Sequence, residues 1–290
     1  MSLKMKNFSI IGAGKVGLNL GYALARRGFS LKKISDCLPE RARKARLIIG
    51  QGQATSNNRI AAAAAEIIFI CVPDDQVPRI VKEISMNDFQ GKFVYHTSGV
   101  LSSKVLLPLS KKGGRVASFH PIQTFALKEP DPKIFKGIFF GLEGEPEALK
   151  LGLYLVRELS GQALIISPEN KPIYHLACSL SSNFLVVLLN EVKNLLESLG
   201  LNEELALEVV TPLINKTLHN VKKLGIESSL TGPIIRGDKK TVQKHLAIAR
   251  NRPALDRIYR AMALEALSIA RKRELPPDKI KALKQLLVRK

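Results

Sequence analysis

The chain is 290 residues long, 46% hydrophobic and 24% charged, which is material for about two domains with buried cores and excludes intrinsic disorder or a disulfide-stapled miniprotein. Basic residues number 45 against 25 acidic, a net charge of +20. The excess is spread along the chain, with 24 basic and 13 acidic residues in 1–160 and 21 and 12 in the remainder, whereas a nucleic-acid-binding arm would gather it in one place.

Phe8 to Ile11 reads as a short apolar strand running into Gly12-Ala13-Gly14-Lys15-Val16-Gly17, and residues 18–27 then take helical spacing until Gly28. A second strand near Leu31–Ser35 ends at Asp36. Ile67–Val72 is a continuous apolar run, as a parallel strand buried on both faces requires, and it stops at Pro73-Asp74-Asp75. Further strands are predicted at Phe93–His96, Val116–Phe119, Ile138–Gly141 and Leu164–Ile166, separated by helical stretches or loops rich in Gly and Pro. This alternation predicts an α/β domain with a doubly wound parallel sheet over residues 1–165.

Beyond Ser167-Pro168 a 3.6-residue period takes over, so residues 166–290 are predicted to be all helical. Lys171–Leu199 reads as a long, central, buried helix ending at Gly200. Asn202 should cap the next helix, Thr211-Pro212 should kink or divide it, and Leu230-Thr231-Gly232-Pro233 marks a break. Asp238 reads as the N-cap of a helix through Arg250, and Pro253 opens another through Arg271. The basic tail from Arg271 to Lys290, around Pro276-Pro277-Asp278, reads as a solvated terminal helix.

Gly12, Gly14 and Gly17 form G-x-G-x-x-G between a strand and a helix, where the first glycine permits a tight turn, the second lets a pyrophosphate approach the backbone and the third lets helix and strand pack closely. Lys15 and Val16 complete that loop. Asp36 stands 19 residues beyond Gly17, where a carboxylate can accept a bond from an adenosine ribose and so favour NAD. Arg41 and Arg43 could instead neutralise the 2′-phosphate of NADP, and the sequence leaves both open. Val72 and Pro73, with Thr97 and Ser98 in His96-Thr97-Ser98-Gly99, fall at the carboxyl edge of the sheet, where the nicotinamide end of such a cofactor is expected. The two hydroxyls could equally cap turns. His120, in Ser118-Phe119-His120-Pro121-Ile122-Gln123-Thr124-Phe125, reads as a proton donor because an imidazole titrating near neutrality suits a carbonyl oxygen or imine nitrogen. His175, Ser179, Ser182 and Asn183 follow helical spacing and form a polar stripe, expected to close a substrate pocket between the domains.

The three cysteines, Cys37, Cys71 and Cys178, make neither a Cys-x-x-Cys pair nor an even framework, so no metal and no disulfide is expected. No uninterrupted apolar run exceeds six residues, against the roughly 20 a membrane span needs. The expectation is a soluble cytoplasmic chain without membrane contact or export signal.

Taken together, the glycine motif, Val72-Pro73-Asp74, His96-Thr97-Ser98-Gly99, the segment Ser118–Phe125 and Leu230-Thr231-Gly232-Pro233 with Arg236-Gly237-Asp238 resemble a family of Rossmann-like proteins with a C-terminal domain of unknown function. Its wider relatives are ketopantoate reductase, pyrroline-5-carboxylate reductase and the 6-phosphogluconate dehydrogenase group. The resemblance implies a Rossmann domain at 1–165, a 6-phosphogluconate dehydrogenase C-terminal-like helical domain at 166–290, NADP or NAD as cofactor, and a homodimer built by the helical domain. Hydroxyacid dehydrogenases of the wider group carry Lys-x-x-x-Asn on the corresponding helix. Asn183 matches the asparagine, while Ser179 stands in place of the lysine.

The resulting expectation is an NAD(P)-dependent oxidoreductase moving hydride between a nicotinamide and a small carbonyl, imine or alcohol. Asn183 and Ser179 would hold the substrate, and His120 or His175 would handle the proton. The basic charge would draw in an anionic cofactor and a carboxylate substrate. The alternative is a non-catalytic dinucleotide-binding sensor or assembly protein.

Overall fold

A computed structural model describes residues 7–126 and 129–288. Strands β1 Asn7–Ile11, β2 Ser30–Ser35, β3 Gln53–Thr55, β4 Ile67–Ile70, β5 Phe93–His96, β6 Arg115–Pro121, β7 Phe139–Gly144 and β8 Gln162–Ile165 form one sheet in the order β3-β2-β1-β4-β5-β6-β7-β8. Neighbours pair in parallel except β6 and β7, which run antiparallel with His120 opposite Gly141 and Ser118 opposite Glu143. The strand order reverses between β1 and β4, which opens a crevice at the carboxyl ends of those strands.

The apolar run in β4 behaves as its composition dictates: Ile67, Ile68, Phe69 and Ile70 are all fully buried. Successive residues feed opposite faces. Phe8, Ile67, Phe69, Tyr95 and Phe119 join one apolar cluster, while Ile68, Ile70, Val94 and Val116 join another. Helices α1 Lys15–Arg26, α2 Pro39–Ile49, α3 Asn58–Ala63, α4 Val77–Ile84, α5 Leu107–Ser110 and α6 Pro146–Glu158 connect the strands. The short β3 carries no apolar periodicity and was not expected from the sequence.

The chain divides into compact units at residues 1–184 and 185–290, later than the expected boundary at 165/166. Helix α7, Lys171–Ser181, belongs to the first unit because its opening residue is anchored there. Lys171 is fully buried, with Nζ donating to the Ser118 hydroxyl at 2.6 Å and to the Ser98 carbonyl at 3.1 Å. The helix expected over Lys171–Leu199 is interrupted at Ser182 (φ −124°, ψ −74°), after which α8 runs from Asn183 to Glu197. It is not a buried core helix. Ile173 is 70% and Val186 65% exposed.

In the second unit follow α9 Glu203–Leu224, α10 Ile226–Ser229, α11 Pro233–Arg236, α12 Lys239–Ala249, α13 Pro253–Lys272 and α14 Pro277–Leu287. The expected caps are present, since Asn202 Oδ1 accepts from the Leu205 amide at 2.9 Å and Asp238 Oδ1 from the Thr241 amide at 3.0 Å. Pro212 lies inside α9 without dividing it, because the hydrogen-bond ladder resumes on both sides of the one missing amide. Val242, Leu246, Ala263, Leu267 and Leu283 form the core of this unit. A buried pair closes it: Arg260 Nε lies 2.9 Å from Asp256 Oδ1, while Arg260 Nη1 donates to the carbonyls of Leu286 and Leu287 near the end of α14.

The helical stretch 168–197 reaches a mean hydropathy of 1.5 and by length and composition could cross a membrane. Counting uninterrupted apolar runs misses it, because averaging tolerates the polar residues within it.

Candidate functional site

The glycine loop is built as its sequence demands. Gly12 has φ +101°, and a Cβ there would collide with the Cys71 carbonyl at the end of β4; a Cβ at Gly17 would run into the Gly12 carbonyl. A Cβ on Gly14, by contrast, would meet nothing within 4 Å. Gly12 and Gly17 therefore secure the packing of loop and helix, and Gly14 keeps the backbone open toward the cleft, where the N-terminus of α1 offers unpaired amides to an anion.

A cavity of 420 Å³ lies beside this loop and brings together Gly14, Lys15, Val16, Val72, Pro73, Thr97 and Ser98, all singled out from the sequence. Gly12, Gly17, Asp36 and Arg41 are not among its lining residues. A second cavity of 750 Å³ collects His175, Ser179, Ser182 and Asn183 with His120, residues 122–126, Tyr174 and Cys178. Both cavities are lined wholly by residues of the first unit. His120, Phe125 and His175 line both. The cavities thus meet at the two histidines. Among the described residues lining the larger cavity there is no lysine or arginine to pair with the carboxylate expected from the net charge.

His120 leaves the end of β6 half-buried, with Nδ1 2.6 Å from the Tyr174 hydroxyl and its ring 6.3 Å from that of His175. Gly99 fits beneath both rings, since a Cβ there would stand 2.6 Å from His175 Cδ2 and 2.9 Å from His120 Nε2. The expectation of an imidazole titrating near neutrality does not hold. Burial, then the Lys171 charge, then His175 push the His120 pKa down to about 3, so the ring is neutral at physiological pH. Burial likewise holds the Tyr174 phenol well above its ordinary range.

Behind His120 lies a buried polar network. Lys171 bridges Ser98 and Ser118, and its pKa falls to about 8 because burial outweighs the attraction of Glu143 and Asp74. Glu143, on β7, accepts from the Ser103 amide and hydroxyl, each at 2.6 Å. His96 is fully buried at the end of β5. Burial and then Lys171 push its pKa to about 3, and its Nδ1 accepts from the Ser98 amide at 3.2 Å. The Ser98 hydroxyl accepts from the amides of Val100 (3.3 Å) and Leu101 (3.0 Å), which is the turn-capping role weighed from the sequence. Thr97 Oγ1 lies 3.5 Å from the Ile70 carbonyl.

Sequence reasoning missed Lys171, Tyr174 and Glu143. A signal for the first two existed: Lys171, Tyr174, His175 and Cys178 stand at i, i+3, i+4 and i+7, a second polar line beside the stripe that was chosen. Nothing local marked Glu143, which meets Ser103 only through the pairing of β7 with β6.

Residues 3–121 match a Rossmann-like domain and residues 138–266 match DUF2520, a domain of unknown function. The chain therefore pairs a Rossmann-like domain with a DUF2520 domain. Among solved structures it is similar to the provisionally described NADP oxidoreductase BF3122 from Bacteroides fragilis, with 24% identity, a TM-score of 0.79 and coverage of 92% of this chain and 100% of that one. Protein TM1727 from Thermotoga maritima shares 27% identity at a TM-score of 0.69, with the same coverage. A reductive aminase from Aspergillus terreus, in complex with NADPH and ethyl-5-oxohexanoate, shares the fold at 14% identity and a TM-score of 0.63, covering 98% of this chain and 92% of that one. No curated protein matches the chain significantly.

Proposed function

We propose that the chain is an oxidoreductase that uses a nicotinamide dinucleotide on a small carbonyl, imine or alcohol. The observation that carries this reading is the meeting of the two cavities at His120 and His175: one is lined by Gly14, Lys15 and Val16 at the N-terminus of α1, the other by His175 and Ser179 of α7 with Ser182 and Asn183 at the break before α8. The open face of Gly14 fits a pyrophosphate. When bound, such a cofactor supplies or accepts the hydride. Its use by the oxidoreductase and the reductive aminase of the same fold supports the reading.

His120 acts as a neutral ring rather than as an imidazolium acid. Tyr174, which retains its proton, donates to Nδ1, so Nε2 carries the ring proton and offers an N–H to the substrate oxygen or nitrogen. Ser179 and Asn183, on the wall of the larger cavity, orient the substrate. A second copy of the chain covers the apolar surface of α8 and α9, where Val186, Leu213 and Leu218 are 65%, 68% and 58% exposed.

The test is calorimetric titration with NADPH and NADH at one salt concentration, because the chain has no tryptophan to report binding by energy transfer. A carbonyl and imine panel read by nicotinamide absorbance follows. Micromolar binding and a turnover lost in His120→Gln are expected. A folded, nucleotide-free protein that binds neither form would sink the reading. Tight binding without turnover across the panel would move the weight to a dinucleotide sensor, which Ser179 in place of the relatives' lysine favours.

A further inference from the structure

We propose that the reacting group at this site is a carbonyl and its alcohol rather than an imine and its amine, selected by the His120 N–H in front and the buried Lys171 charge behind. The choice rests on the oxidoreductase reading above and narrows its substrate class.

The tie at Nδ1 decides what the other ring nitrogen can do. With the Tyr174 hydroxyl 2.6 Å away and donating, Nε2 bears the ring proton, and it has no hydrogen-bond partner among the described residues. The ring lines both cavities, and the missing side chain of Gly99, whose Cβ would stand 2.9 Å from Nε2, leaves that nitrogen uncovered. A carbonyl oxygen has lone pairs for such a donor. When hydride from the reduced nicotinamide reaches the carbonyl carbon, the π pair of the C=O bond moves onto oxygen, the N–H meets the charge that develops there, and the alkoxide takes its proton from water. An imine follows a different course. Hydride added to a neutral C=N bond would leave a full negative charge on nitrogen, far more basic than an alkoxide, so the reacting species is the protonated iminium. Its nitrogen has no lone pair, and the His120 N–H faces it with nothing to bond.

Charge acts in the same direction. Apart from burial, what opposes a positive charge on the His120 ring is Lys171 and then His175, with no carboxylate offsetting them. Lys171 cannot swing away, since it is fully buried with Nζ bonded to the Ser118 hydroxyl and the Ser98 carbonyl, 5.8 Å from the centre of the Tyr174 ring. Of the acids near Lys171, Glu143 is held by Ser103, and Asp74 lines the smaller cavity but not the larger. On the wall of the larger cavity, burial raises both the Tyr174 phenol and the Cys178 thiol, so each keeps its proton at neutral pH. An iminium would sit against positive charge with no anion among the described residues of that wall to pair with it. An alkoxide gains from the same field.

Two readouts test the choice near neutral pH. The first is turnover of matched pairs with NADPH and NADH: cyclopentanone against pyrroline, and tetralone against dihydroisoquinoline. Each ketone should show kcat/KM at least about tenfold above its cyclic imine. The second is nitrogen-15 NMR of the His120 ring, titrated with tetralol and with aminotetralin, which is a cation at this pH. The free ring should carry its proton on Nε2, and tetralol should move that resonance with at least about tenfold higher affinity than aminotetralin. In a folded Lys171→Met the ratio should shrink by about threefold or more, a change that loss of packing alone would not produce. The ring titration needs no turnover, so a preference for tetralol carries the proposal even where neither pair is reduced. Faster reduction of the imines, a proton found on Nδ1, equal affinity for aminotetralin, or a ratio unmoved in Lys171→Met each overturns it and leaves the oxidoreductase reading standing. Binding of neither dinucleotide, or a ring indifferent to both compounds with neither pair reduced, overturns both readings together.

Discussion

At the carboxyl edge of the sheet, polar and charged groups are buried and nearly all partnered: Asp36, Ser98, Ser118, Glu143 and Lys171 each hold backbone or side-chain bonds. Along α8 and α9 the arrangement is inverted, with Val186 and Leu213 facing outward and Ala206 the single buried residue across the two helices. The first region is finished almost entirely by its own chain, since its buried polar groups find partners there, His96 Nε2 being an exception. The second displays apolar surface that a finished monomer would bury, which is why a second copy is proposed there.

The comparison breaks most severely at the glycine loop. Gly17→Ala places a methyl group against the Gly12 carbonyl and should cost about 3 kcal/mol. Chemical denaturation measures this, and a loss below about 0.5 kcal/mol would show that the loop is not packed as described. Next in size is Lys171→Met, which strips the Ser118 hydroxyl and the Ser98 carbonyl of a donor and should cost about 1–3 kcal/mol. It also removes a positive charge that opposes protonation of His96 and His120, so both should titrate above their present value of about 3 and, being still buried, below 6.5. Nitrogen-15 NMR titration reads that shift, and unmoved rings would detach Lys171 from the site.

Acid sharpens the contrast between the regions. His96 has a folded pKa of about 3 against an ordinary 6.5, so below 6.5 the unfolded chain binds the extra proton. The stability its neutral ring contributes is fully present above that pH. It is lost as pH falls toward 3, by up to about 1.4 kcal/mol per pH unit. Urea midpoints near pH 7 and near pH 5 test the sign, with the lower midpoint expected in acid, and His96→Phe should flatten the dependence. Tyr174→Phe should cost about 1 kcal/mol and release the proton on His120 to exchange between its two nitrogens, visible as a changed pair of ring nitrogen-15 shifts. The smallest effect on the fold belongs to Val186→Glu on the exposed face, within about 0.5 kcal/mol for the isolated chain. Light scattering should nonetheless show the mass fall from two chains to one.

Sequence legibility followed the range of the physics involved. Phe93–His96 and the caps Asn202 and Asp238 were read directly, because strand burial and capping act over a few residues. The break at Ser182 escaped because apolar spacing continues through it, and the exposure of α8 escaped because a helix apolar on most sides reads as core in any single chain. At the site, the glycine loop was legible by motif. The protonation of His120 was not, since it depends on Lys171 from a distant helix and on burial no local pattern records. Asp36 illustrates the same limit: its position reads as a ribose ligand, and only the fold shows which donors it already holds.

The antiparallel pairing of β6 with β7 is, among the described residues, the one reversal of direction in the sheet. It falls at the seam between the segment matching the Rossmann-like domain, which ends at residue 121, and the segment matching DUF2520, which begins at 138. The second module thus contributes two strands to the first module's sheet, together with Phe140, whose ring packs 4.9 Å from that of Phe119. Ancestry and folding divide this chain at different places. A fragment cut at residue 121 would keep every glycine of the nucleotide motif yet carry a naked strand edge and half an aromatic core, a recipe for self-association rather than for a miniature binding domain.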